Sequence, residues 1–181
     1  MGPIKVIRDC EAIQIPSGEK QTIAAGTEVR ITQSLGGTYT VMTEWGALLR
    51  IEGKDADAIG KPKAEGPKLD HSSPLDAPSI EKLVWDQLRT CFDPEIPINM
   101  VDLGLVYECK ATALSEGGNK VEVKFTLTAP GCGMGDVLKR DIESKILTIP
   151  GVRELDVQVV FDPPWDRSMM SEAAKLQLGL V

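Results

Sequence analysis

Cys132 is the residue best placed to do chemistry. It sits in the run TAPGCGMGDV, residues 128–137, flanked by Gly131, Gly133 and Gly135. The glycines let the backbone pack closely or take positive φ. A strand is expected to end at Thr128 and a helix to begin within a few residues of Cys132. First-turn amides and the helix dipole stabilise a negative group at such a place. The thiol is therefore expected to have a depressed pKa and a larger thiolate fraction. Thiolate attacks electrophiles and binds soft metals such as iron and copper, which makes Cys132 the candidate metal ligand. The plainer reading is an inert core cysteine in a tight turn. A polar, Gly-rich bend gives a buried thiol no packing reason to be there, so function is the favoured reading. The GxGxG spacing also resembles a phosphate cradle, but the lysine and Ser/Thr of a P-loop are missing.

Two further loops carry unusual residues. DPEIPINMVDLGLV, residues 93–106, holds Asp93, Glu95 and Asp102 among prolines. Ordinary turn chemistry, with aspartates bonding nearby amides, accounts for such a pattern and is the favoured reading. The functional reading is a rigid carboxylate-bearing loop that faces a partner or a hard metal. DPPWDRSMMSE, residues 162–172, holds Trp165, Met169 and Met170. A packing anchor over the end of a sheet and a protein-binding edge explain it equally well. The sole histidine, His71, lies in KPKAEGPKLDHSSPLDAP, residues 61–78. That stretch has the composition of an exposed linker, a poor platform for a catalytic base. An enzyme with a Cys nucleophile would therefore lack its usual partner, and Asp102 would serve only with a strongly raised pKa.

These loops need elements to hold them. Residues 1–60 read as a small all-β module: Ile4 and Val6, Ile13 and Ile15, Val29 and Ile31, 38–42, and Leu49 and Ile51 show two-residue spacing between turn signals. Residues 79–181 read differently. Ile80, Leu83, Val84, Leu88 and Cys91 repeat at helical spacing after Pro78-Ser79. Leu105, Tyr107, Cys109 and Ala111 then share one face of a strand, as do Val121, Val123, Phe125 and Leu127 in the next; a turn at 117–119 makes the two a hairpin. Cys91 and Cys109 are thereby expected in the core. A helix from about Gly133 places Met134, Leu138, Ile142 and Ile146 together. A third strand follows with Val157, Val159 and Phe161, and a last helix spans about 171–178. The order α-β-β-α-β-α implies a two-layer α+β domain with helices on one face of the sheet. If the second and third strands are parallel, the loops at 128–137 and 162–172 lie at the same end of it.

Composition bounds the rest. The chain has 181 residues, 20 basic and 27 acidic side chains, and a formal charge of −7. Residues 1–60 carry 6 basic and 8 acidic groups and residues 61–181 carry 14 and 19, so neither part offers a positive stripe for nucleic acid. No apolar run approaches the roughly 20 residues of a membrane span. The N-terminal MGPIKVIRDCE lacks the apolar segment of a signal peptide, so a cytoplasmic, reducing setting is expected, with Cys10, Cys91, Cys109 and Cys132 as thiols.

DPEIPINMVDLGLVY, TAPGCGMG and DPPWDRSMMSEAAKLQLGL, in this order and spacing, resemble the metal–sulfur cluster assembly factor family over residues 79–181. The preceding β module and the GCGMG and DPPW forms resemble its SufT branch. The resemblance implies an Fe–S cluster assembly-like α+β fold and a non-enzymatic, accessory role in iron–sulfur protein maturation. It implies that Cys132 is the reactive position, with Asp93, Glu95, Asp102 and Thr128 close to it. Many relatives have Cys-Pro at this bend, where Cys132-Gly133 stands here. Four thiolates usually hold a cluster and one good candidate exists, so any cluster would be transient, shared with a second chain in a homodimer, with a partner or with a small thiol. The implied partners are Fe–S carrier or scaffold proteins and recipient apoproteins. The alternative is a cluster-free adaptor that docks recipients to a separate carrier through Trp165, Met169 and Met170 together with the β module.

Overall fold

The computed structural model describes residues 2–63, 75–93, 96–131 and 133–180. His71 lies outside the described residues. The chain divides into two compact units, Met1–Glu65 and Gly66–Val181.

In the first unit six strands form one antiparallel sheet: β1 (Ile4–Lys5), β2 (Cys10–Gln14), β3 (Lys20–Ile23), β4 (Glu28–Leu35), β5 (Thr38–Thr43) and β6 (Leu48–Ile51). Their spatial order is β1-β4-β5-β6-β2-β3. Gly36 and Gly37, at φ 61° and 78°, make the two-residue turn between β4 and β5. Both central residues of such a hairpin turn need positive φ, which explains the Gly-Gly pair. The core gathers Val6, Cys10, Ala12, Ile23, Val29, Val41, Leu49, Ile51, Ala58 and Ile59. Ala58 and Ile59 come from a 3₁₀ turn, Gly53–Ile59, which alternation could not signal. Arg8 holds this turn, donating to both carboxylate oxygens of Asp57 at 2.7 and 2.9 Å and to Asp55 at 2.9 Å. Strand β3 was also not legible, because three of its four residues are polar and exposed.

In the second unit the elements are α1 (Ala77–Leu88), β7 (Val106–Ala113), β8 (Asn119–Phe125), α2 (Gly135–Ile146), β9 (Val152–Val159) and α3 (Glu172–Gln177). This is the α+β order expected. Helix α1 starts inside the stretch read as linker: Asp76 accepts a bond from the Ser79 N–H at 2.9 Å, with Pro78 in the first turn. Side-chain capping satisfies one of the amides a helix start leaves open. The sheet order is β7-β8-β9, with β7 and β8 antiparallel and β8 and β9 parallel. Both α1 and α2 pack on the face that carries Val121, Val123 and Phe125. Met134, Leu138, Ile142 and Ile146 are all buried, as their four-residue spacing requires. Burying such an aliphatic side chain contributes about 1.5–3 kcal/mol. The far face is charged. Glu108 stands opposite Lys124, Lys110 opposite Glu122, and Lys120 opposite both Thr112 and Glu154.

Strand β7 departs from plain alternation. Val106 pairs with Phe125 but Glu108 pairs with Lys124, so β7 carries an extra residue at Tyr107. A bulge of this kind shifts the phase of the strand. Val106, Cys109 and Ala111 therefore face the core, and Tyr107 does not share their face. Phe161 also departs from expectation. The ladder ends with the Val160 N–H donating to the Phe125 carbonyl, β9 stops at Val159, and Phe161 is 50 % exposed. Residue Pro163 has no N–H to continue a ladder. The β7–β8 turn, 114–118, lies at the opposite end of the sheet, with residues 115–117 exposed.

Candidate functional site

The topology brings the three unusual loops to one end of the sheet. The 93–105 segment enters β7, the 126–134 segment leaves β8, and the 160–171 segment leaves β9, which is parallel to β8. The Thr126 N–H donates to the Leu105 carbonyl at 2.8 Å, which fixes the first two together at their sheet ends.

The carboxylate loop is a built structure. Phe92 and Asn99 bridge across it, and the Met100 N–H donates to the Cys91 carbonyl at 2.8 Å. Asp93 is 8 % exposed, and its Oδ1 accepts the Ile96 N–H at 3.0 Å. That is the turn role which composition favoured. Asn99 and Asp102 bond reciprocally: Asn99 Nδ2 donates to Asp102 Oδ2 at 2.6 Å, and the Asp102 N–H donates to Asn99 Oδ1 at 2.9 Å. Ile98, Met100, Leu103 and Leu105 plug the loop into the core. Glu95 lies outside the described residues.

The loop after β8 is more open. Thr128 is half-buried, while Gly131 and Gly133 are exposed. Gly131 has φ 81°, and a Cβ there would meet nothing within 4 Å. Gly135 is buried instead; a Cβ on it would lie 3.1 Å from Leu127 Cδ1. Helix α2 begins at Gly135, two residues later than Gly133, and Met134 at its N-cap supplies no side-chain bond. Its first amides are left without that partner at the end of the helix that favours negative groups. Cys132 lies outside the described residues.

The DPPW loop acts as a strap across the carboxylate loop. Trp165 is half-buried against the core, and its Nε1–H donates to the Leu103 carbonyl at 2.8 Å. The Ser171 N–H donates to the Asp102 carbonyl at 2.8 Å. Tyr107 donates from its hydroxyl to the Pro163 carbonyl at 2.7 Å, and its oxygen lies 3.6 Å from Met169 Sδ. Gly104, at φ 72°, lets the Met169 backbone come so close that any Cβ would collide with the Met169 carbonyl. Of Trp165, Met169 and Met170, read equally as a packing anchor or a docking edge, Trp165 and Met169 are half-buried and Met170 is buried. Met170 is 6 % exposed because the turn Arg167–Met169 directs it into the core. Tyr107, Asn99, Gly104 and Ser171 were not singled out for the site. The Asn99–Asp102 spacing of three was the available signal for one of these contacts; the strap contacts span 56 residues or more and had none.

The described thiols are unlike a reactive one. Cys91 is fully buried, and its Sγ lies 3.6 Å from the Gln87 carbonyl. Burial, with a smaller push from the Glu81 carboxylate, raises the Cys109 thiol to about 12. Burial, aided by Asp55, also raises Cys10. Both stay protonated at neutral pH. Among the described residues no group of three or more His, Cys, Asp and Glu side chains is placed to hold a metal ion. Among them, too, no helix is long and apolar enough to cross a membrane.

The family described as iron–sulfur cluster assembly protein matches residues 81–159. A protein of Porphyromonas gingivalis named Fe-S protein maturation auxiliary factor is 42 % identical over 101 residues, covering 56 % of this chain and 92 % of that protein. The Fe-S protein maturation auxiliary factor SufT of Staphylococcus aureus is 40 % identical over 88 residues, covering 49 % and 96 %. A Bacillus anthracis crystal structure titled as a domain of unknown function, DUF59, superposes with a TM-score of 0.51 at 31 % identity, covering 58 % and 96 %. Identities of 40 % and more over nine-tenths of these relatives' own lengths show that this chain belongs to the SufT-type iron–sulfur cluster assembly protein family.

Proposed function

We propose that this chain is a non-enzymatic factor of iron–sulfur protein maturation that handles a cluster as transient cargo through Cys132. The observation that carries this reading is the convergence of the three loops. The β8–α2 segment that contains Cys132 emerges beside the loop that presents Asp102, at the N-terminal end of α2. A thiolate there would gain from the helix dipole. One thiolate is too few to retain a cluster, since clusters are held by about four. The remaining ligands would come from a second copy, a carrier or a recipient, in a reducing compartment such as the cytoplasm, and weak retention favours transfer over storage.

Anaerobic reconstitution of the wild type and Cys132→Ser, followed by visible absorption and iron and sulfide analysis, tests this. The expected result is absorption that depends on Cys132, with iron per chain reporting whether two chains share one cluster. Absorption that is absent in both folded proteins, together with full maturation activity of Cys132→Ser in cells, would sink the thiol mechanism.

A cluster-free adaptor is the second reading, and the exposure of Phe161 favours it. This aromatic side chain is 50 % exposed at the same end of the sheet, beside the exposed Pro163 and Pro164. Aromatic side chains are common anchors of protein interfaces. Loss of recipient capture by Phe161→Ala, with Cys132→Ser unaffected, is the outcome that would select the adaptor.

A further inference from the structure

We infer that Trp165 is a positioning residue for Asp102, a role that rests on the reading of this sheet end as the functional site. Two consecutive carbonyls of the carboxylate loop are held from one strap. Asp102 O accepts the Ser171 N–H at 2.8 Å, and Leu103 O accepts the Trp165 Nε1–H at 2.8 Å. The next residue, Gly104, is the contact point where only a residue without a Cβ lets the Met169 backbone approach. The strap is anchored in turn at Pro163 by the Tyr107 hydroxyl and at Met170 by burial in the core. Asp102 is thus gripped on three sides: by Asn99 at its carboxylate, by Ser171 at its own carbonyl and by Trp165 at the following one. The Trp165 side chain is 62 positions from Leu103 in sequence, so its indole N–H is a tertiary bond that nothing local replaces. The tryptophan of the DPPW segment reaches the site through the backbone that carries Asp102, not by offering a docking surface.

Trp165→Phe keeps a ring against the core and removes the N–H donor. In the full chain, hydrogen exchange at the Leu103, Gly104 and Leu105 amides is expected to quicken about fivefold or more, with the β8 amides unchanged. The second readout is maturation of Fe–S proteins, followed as total Fe–S enzyme activity, in cells that depend on the variant chain. Trp165→Phe and Asp102→Asn should each lower it about two- to tenfold, and the double variant should be no lower than Asp102→Asn alone. A merely structural tryptophan would give additive losses, and additivity overturns the inference. So does wild-type exchange in Trp165→Phe, or full maturation by Asp102→Asn. If Trp165→Phe fails to fold, Tyr107→Phe releases the strap at Pro163, and the same cycle with Asp102→Asn decides. Cys132→Ser measured beside them tests the thiol reading separately: its full activity removes that reading, while loop exchange still decides whether Trp165 holds the turn.

Discussion

At the scale of single residues, Gly104 carries the sharpest constraint. Its φ of 72° suits glycine, and the Met169 carbonyl occupies the space of a Cβ. Gly104→Ala combines left-handed strain with a backbone collision and is expected to cost about 2–4 kcal/mol, measured by urea unfolding. Thiol chemistry offers a second test. Burial holds the Cys10 and Cys109 thiols above their ordinary value of 9.0, Cys109 at about 12, and Cys91 is fully buried. Iodoacetamide at pH 8 followed by mass mapping should leave these three unmodified in the native protein and label them in denaturant. Alkylation of Cys109 at the rate of a free thiol would show that β7 does not hold its core face.

At the scale of elements, α1 depends on its cap. The Ser79 hydroxyl and backbone N–H hold the Asp76 carboxyl below its ordinary value of 3.8. A depressed carboxyl contributes stability above its unfolded value and loses it as pH falls through the folded one. The difference in melting temperature between wild type and Asp76→Ala should therefore be full at neutral pH and shrink below about 3.8. A pH-independent difference would mean that the cap acts through something other than its charge. The elements that were legible share a cause: a single period, one buried face and a clear stop. Met134, Leu138, Ile142 and Ile146 fixed α2 in this way, and Val121, Val123 and Phe125 fixed β8. What was not legible depends on tertiary contact. The bulge at Tyr107 conceals the true face of β7, because its extra residue is defined by the partner strand. The inward turn of Met170 follows from a short 3₁₀ segment that carries no period. The carboxylates of the candidate site were legible as a loop, but the strap that holds Asp102 was not, since its donors come from the opposite end of the domain sequence.

At the scale of the whole molecule, each unit has a core of its own residues. Two cooperative transitions are expected in calorimetry. Leu49→Ala should lower one by about 2–5 kcal/mol and Leu138→Ala the other by a similar amount, each leaving its neighbour in place. A single transition shifted by both variants would show that the cores unfold together. The mixed sheet of the second unit also has a practical side. Because β8 runs against β7 and alongside β9, the three loops crowd one pole and the exposed turn at 115–117 occupies the other. Eight residues of extended strand separate the two poles by about 25 Å. A fluorophore or a surface tether attached at Glu116 would therefore sit at the end of this unit's sheet opposite the candidate site, so binding measurements could be made with the label about one strand length from the three loops.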